Sequence, residues 1–198
     1  MFFNRRPGLS LEAFHEHWRE RHAPIIVRLP GIRRYVQNYP LPGSERLFDA
    51  VAESSFDDTR AMKALGGTAE YAAVLADEPN FIDRASMGTI VTEEHVLKDG
   101  APAPSLRKAL RFIKRKAGTL PDEFFAALLE HGARVAKLPA VKRYVQSHTR
   151  RAVYESGRTP AYDAVEMIWM DDAQALGRLP SPAAEIAGVV LAAERVVL

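Results

Sequence analysis

The side chains in this 198-residue chain best suited to moving a proton are His22 and Glu53. An imidazole, with an ordinary pKa of about 6.5, both takes and gives a proton at neutral pH. A carboxyl group raised by burial can abstract an acidic proton. Tyr35, with a counterpart in Tyr144, could donate a hydrogen bond to a carbonyl or enolate oxygen. These are the parts of acid–base chemistry on a small oxygenated molecule. Each also has a structural alternative. His22 could cap carbonyls freed at a helix end, Glu53 could pair with Arg33, and the tyrosines could satisfy one another inside a core.

Other chemistries find less support. There are no cysteines, which removes a disulfide framework, a thiol nucleophile and a thiolate-bound metal. His15 and His17 diverge by about 200° on a helix and do not converge on a metal with His22. Gly66-Gly67 is a turn or helix break, not a phosphate cradle. A net charge of +2 gives no footprint for nucleic acid, and the clusters around Arg107–Lys116 and Arg150-Arg151 read as solvated faces. No apolar run approaches the ~20 residues of a membrane span, and no leader resembles a signal peptide. A cytoplasmic protein without a cofactor is expected.

The chain repeats itself. Leu29-Pro30-Gly31-Ile32-Arg33-Arg34-Tyr35-Val36-Gln37 returns as Leu138-Pro139-Ala140-Val141-Lys142-Arg143-Tyr144-Val145-Gln146, with six of nine positions identical. Pro30 and Pro139 lie 109 residues apart, the length of a small domain, so the repeat is a duplicated domain and not a solenoid. Phe14 answers to Phe124 at an offset of 110, whereas His22 answers to His131 at 109. One residue is therefore missing from the helix of copy two. Asp49 answers to Asp163 at 114, and Gly88 to Gly188 at 100. Copy two thus has a longer hairpin, His148 to Ala161, and lacks about fourteen residues around its second helix.

The elements that must position these residues follow from periodicity. Ser10 is a good N-cap for a helix whose apolar stripe runs Leu11, Phe14, Trp18, His22, Ile25, Leu29. Pro24 should kink that helix just after His22. Strands are expected at Ile32–Tyr39, at Leu47–Phe56 after the connection Pro40–Glu45, and from about Ser86 to Leu97. An Ala-rich helical stretch spans Asp57–Leu75. Copy two opens with a strand at Leu106–Lys114, while copy one has only Met1-Phe2-Phe3-Asn4 before Arg5. Residues 1–98 form copy one, 99–105 a linker and 106–198 copy two. Each copy reads β-α-β-β-α-β, the ferredoxin-like pattern of the α+β class, with helices on one face of its sheet. The two open faces are expected to close on each other around a lumen.

Strand alternation then sorts the candidates. With Ile32 and Val36 under the helices, Tyr35 and Gln37 point into the lumen with Arg33, as do Tyr144 and Gln146. Ala50 and Ala52 suit packing under helices, which leaves Glu53 on the lumen side. Its counterpart in copy two is Met167, with Trp169 beyond. His131 repeats His22 without the proline. One wall is then polar, formed by His22, Glu53, Tyr35, Gln37 and Arg33. The other, with Met167 and Trp169, is broad and apolar, and suited to an aromatic ligand.

The segments Arg5-Arg6-Pro7-Gly8-Leu9-Ser10, Phe14-x3-Trp18-x3-His22-Ala23-Pro24, Pro30-Gly31-x3-Tyr35-Val36-Gln37-Asn38, Asp49-x3-Glu53 and Glu93-Glu94 together resemble the EthD family. The resemblance implies the dimeric α/β-barrel superfamily, here made within one chain. That superfamily holds cofactor-free monooxygenases, cyclases, lactone isomerases and haem-handling enzymes. It further implies a lyase, isomerase or cyclase, dehydratase-like, acting on a small hydrophobic, oxygenated aromatic or polyketide-like molecule. Two other readings stay open: a non-catalytic carrier or accessory protein of a degradation pathway, and a haem-handling protein. The expected partner is that small ligand, with no nucleic acid, no membrane and further homodimerisation of the two-copy unit possible in principle.

Overall fold

A computed structural model describes residues 1–44, 47–101, 103 and 105–198. Glu45, which ends the expected connection, and the linker residues Pro102 and Pro104 lie outside the described residues. The chain divides into two compact units.

Unit one comprises Met1–Pro40, Phe48–Thr89 and Glu194–Leu198. Its strands β1 (Phe2–Arg5), β2 (Ile32–Pro40), β3 (Ala50–Phe56) and β4 (Ile82–Gly88) run in the order β4-β1-β3-β2. Neighbouring pairs are antiparallel. The Tyr35 amide donates to the Leu198 carbonyl at 3.0 Å, so the last residues of the chain extend this sheet beside β2. One face carries α1 (Leu11–His17), a π-helical turn (Trp18–His22), α2 (Ala23–Ile26), α3 (Thr59–Lys63) and α4 (Ala69–Asp77). Phe3, Phe14, Trp18, Tyr35, Ala50, Ala52 and Phe81 form the core between helices and sheet. The Ser10 hydroxyl accepts from the Ala13 amide, the N-cap that the sequence led one to expect.

Unit two comprises Leu41–Leu47 and Ile90–Ala193. Here β5 (Thr92–Lys98), β6 (Arg107–Lys114), β7 (Val141–Thr149), β8 (Ala164–Met170) and β9 (Glu185–Val196) run β9-β6-β8-β7-β5. The helix α5 (Pro121–Val135) covers the sheet, and a short α6 (Arg151–Glu155) fills the long hairpin. A 3-10 turn at Ala173–Arg178 stands where copy one has α3 and α4. Both units therefore carry the ferredoxin-like 4-1-3-2 order.

Three details differ from the expected pattern. The expected strand from Ser86 to Leu97 is two strands, β4 on β1 and β5 on β7, where Thr92 faces Thr149 and Val96 faces Val145. The compact units consequently differ from the copies 1–98 and 106–198: β5 of copy one falls in unit two, and the last residues of copy two, Glu194–Leu198, fall in unit one.

The second detail is the π-turn. It lies where copy one has one residue more than copy two, between Phe14 and His22. An extra residue absorbed without breaking the helix forces i→i+5 closure, and the Ala23 amide bonds the Trp18 carbonyl accordingly. Pro24 then falls in the first turn of α2, where its missing N–H costs least.

The third is a register shift in each second strand. Ile32 faces Phe56 but Arg34 faces Ser55, and Val141 faces Met170 but Arg143 faces Trp169. Such a bulge turns every later side chain to the other face. Ile32 and Tyr35 therefore both lie in the core under the helices.

Candidate functional site

In unit one the bulge moves Tyr35 and Gln37 under the helices, away from the face expected for them. The Tyr35 hydroxyl accepts from the Trp18 indole N–H at 2.9 Å. Gln37 Nε2 donates to the Trp18 carbonyl at 2.9 Å, and Gln37 Oε1 accepts from Tyr39 and Arg195. Burial pushes the Tyr35 hydroxyl well above its ordinary range, so it stays neutral. Gln37 thus holds the first carbonyl of the π-turn and Tyr35 its indole.

The π-turn presents His22. This residue is 5% exposed, and its Nδ1 donates to Asp77 Oδ2 at 2.9 Å. Asp77 ends α4 and gathers more donors: His17 Nε2 at 2.9 Å and Asn80 Nδ2 at 3.2 Å, both on Oδ1. Phe81 lies against both imidazoles, with ring centroids 4.7 Å from His17 and 4.8 Å from His22. Burial lowers the His22 pKa, against the hydrogen bond and charge of Asp77. Burial would raise Asp77, but hydrogen bonds from His22, Asn80 and His17 hold it below its ordinary value. At neutral pH this is a carboxylate beside a neutral imidazole. The carboxylate can only accept, so the His22 proton sits on Nδ1 and Nε2 carries the lone pair.

Glu53 lies on the opposite face of the same sheet. It accepts from Asn38 Nδ2 at 2.6 Å and pairs with Arg34 Nη1 at 3.4 Å. Arg33 instead points outward and pairs with Asp57 at 2.6 Å, both side chains more than 60% exposed. The structure therefore joins His22 to Asp77, and separates it from Glu53 by the thickness of the sheet.

Unit two builds a different cluster at the matching place. Gln146 Nε2 donates to the Leu128 carbonyl at 2.9 Å, as Gln37 does to that of Trp18. Tyr144 has no indole partner, because Leu128 stands where Trp18 stands in copy one, and its hydroxyl donates to Glu166. Glu166 occupies the position of Ala52, is fully buried, and pairs with Arg111 Nη2 at 2.7 Å. Apart from that ion pair, Arg111 Nε and Nη2, Glu166 Oε2 and the nearby His131 Nε2 are enclosed without a hydrogen bond among the described residues. His131 Nε2 lies 3.7 Å from Glu166 Oε1. Burial lowers the His131 pKa and raises that of Tyr144, the latter with help from the Glu166 charge. His148 bonds Gln146 Oε1 at 3.0 Å and stacks on Phe125. Tyr144, Gln146 and His131 thus meet, whereas Met167 and Trp169 are buried on the other face, with Lys108 Nζ 4.4 Å from the Trp169 ring.

Sequence reasoning missed Asp77, His17, Glu166, Arg111 and His148. A lone carboxylate in the apolar run Ala164–Met170 was the signal available for Glu166, and Arg111 in β6 is of the same kind. Asp77 carried none, since only the fold brings the end of α4 to His22.

Comparison with known proteins places both copies. The EthD domain family matches residues 6–85 and 116–185. A solved structure named "putative monooxygenase" from Lactobacillus acidophilus NCFM is similar at a TM-score of 0.49 and 6% identity, covering 95% of this chain and 84% of that one. No curated protein matches in sequence.

Proposed function

The chain belongs to the EthD family twice over, as two tandem domains, and on that premise we propose that it is a cofactor-independent lyase, isomerase or cyclase. Its substrate is a small hydrophobic, oxygenated molecule, aromatic or polyketide-like. The observation that carries this reading is the His22–Asp77 pair, a 5% exposed imidazole held by a carboxylate at 2.9 Å.

His22 Nε2 takes a proton from carbon next to a substrate carbonyl. The electron pair moves onto the carbonyl oxygen as an enolate, and the imidazolium is balanced by Asp77 through Nδ1–H. Return of that proton to a different carbon gives isomerisation. Its delivery to a β-hydroxyl, with loss of water, gives dehydration. Tyr35 and Gln37 hold the π-turn in place and are not themselves assigned to the substrate. Glu53, on the far side of the sheet, takes no part in this step.

The test is solvent deuterium exchange. A panel of oxygenated bicyclic aromatics, beginning with 1-tetralone, is followed by proton NMR in deuterium oxide. The reading expects exchange next to the carbonyl above the buffer rate, and its loss in His22→Gln. Equal exchange by both proteins would contradict it.

A further inference from the structure

His17 and His22 are five residues apart, a spacing that an α-helix places roughly 140° apart around its axis. The π-turn Trp18–His22 changes this, because i→i+5 closure sets residues five apart about one turn above one another. Both imidazoles consequently reach the same carboxylate, His17 Nε2 on Asp77 Oδ1 and His22 Nδ1 on Asp77 Oδ2, each at 2.9 Å. Phe81 backs both rings. In copy two the helix is regular, Ala127 stands in place of His17, and no second imidazole shares a carboxylate with His131 among the described residues. The π-turn therefore absorbs the extra residue of copy one and keeps positions 17 and 22 on one face, as the four-residue spacing of Ala127 and His131 does in the regular helix of copy two; what copy one adds is an imidazole at position 17.

We propose that His17 is a positioning residue for His22: by holding Asp77 Oδ1 it orients the shared carboxylate so that Oδ2 meets His22 Nδ1, and a positive charge placed at position 17 draws that carboxylate's support away from the His22 imidazolium. One carboxylate stabilises two cationic neighbours less well than one, so a charge at position 17 is felt at His22. His17 keeps 24% of its side chain exposed while His22 keeps 6%. Charged groups on the adjoining elements pair mainly with one another. Glu78, in the turn after α4, is held by Arg84 of β4 at 3.2 Å, and Arg19 and Glu20 of the π-turn pair with each other at 2.6 Å. Arg21 is exposed, and α2 brings no charged side chain.

The inference rests on His22 being the acid–base residue, but its test does not need turnover. Histidine side chains are followed by two-dimensional nitrogen–proton NMR through a pH titration of the whole protein, as wild type, His17→Gln and His17→Arg. In wild type, neutral His22 should carry its proton on Nδ1. His17→Gln, which can still donate to Asp77 but cannot become charged, should move the His22 titration upward by about half a unit to one unit. His17→Arg, a fixed cation, should move it downward. If His22 titrates identically in all three proteins, or its neutral form carries the proton on Nε2, the proposal is overturned. A coupled titration combined with full activity of His22→Gln would instead leave this coupling standing and remove the catalytic reading.

Discussion

The Tyr144 hydroxyl donates a hydrogen bond to Glu166, whereas that of its counterpart Tyr35 accepts one from the Trp18 indole N–H. The reversal follows two exchanges between the copies, Trp18 to Leu128 and Ala52 to Glu166, in which a large ring over a small strand residue becomes a smaller side chain over a carboxylate. Space vacated by the indole is filled by an ion pair. Unit one keeps an apolar core and places its histidine–carboxylate pair at the π-turn. Unit two buries its carboxylate between two apolar clusters.

That buried pair should be costly to break and cheap to replace as a whole. Glu166→Gln leaves the Arg111 charge enclosed and should cost about 3–5 kcal/mol in urea unfolding. The double change Arg111→Met with Glu166→Leu should recover most of that loss. A double variant as unstable as the single one would show that the polar network itself, and not its charge balance, sustains unit two.

Acid should destabilise the protein through His148. Its pKa is lowered to about 4, by burial first and by His95 second. In the unfolded chain the same group titrates near 6.5. Between these values the unfolded state binds more protons than the folded one, so stability is complete above about pH 6.5 and falls as the pH drops toward 4, by up to about 3 kcal/mol. His22, lowered in the same direction, adds to the slope. Urea midpoints at pH 7 and pH 4.5 measure this, and His148→Gln should flatten the difference. An unchanged pH slope in that variant would refute the assignment.

The π-turn gives a third expectation. Deleting the exposed Glu20 should return the helix to regular α geometry, as in copy two, with His17 and His22 four residues apart and still on one face beside Asp77. The chain should still fold, and the Nδ1–Asp77 hydrogen bond should persist in the imidazole NMR spectrum. Its loss would mean that the pairing depends on the extra residue and not on the shared helix face.

Much of this was legible in the residues and some was not. The duplication, the Ser10 cap, the ferredoxin-like units and the residue missing between Phe124 and His131 all follow from local pattern. The faces of Tyr35 and Gln37 did not, because a bulge at Arg33 leaves no mark on alternation while reversing its outcome. The exchange of β5 was hidden as well, since the pattern of residues 86–97 reads as one strand and says nothing about which neighbour each half chooses. His22 stood out from its type and place. Its partner Asp77, 55 residues away, could be found only once α4 had a position.

The central claim is that His22 moves a proton, and one paired measurement tests it most directly. Turnover of an exchange-active substrate and melting temperature are compared in wild type and His22→Gln. The account predicts a loss of about 10²–10⁴ in turnover, with a change in stability of no more than about 1–2 kcal/mol, because glutamine can still donate to Asp77. Full turnover with a lowered melting temperature would contradict it and leave His22 as a structural residue of the π-turn.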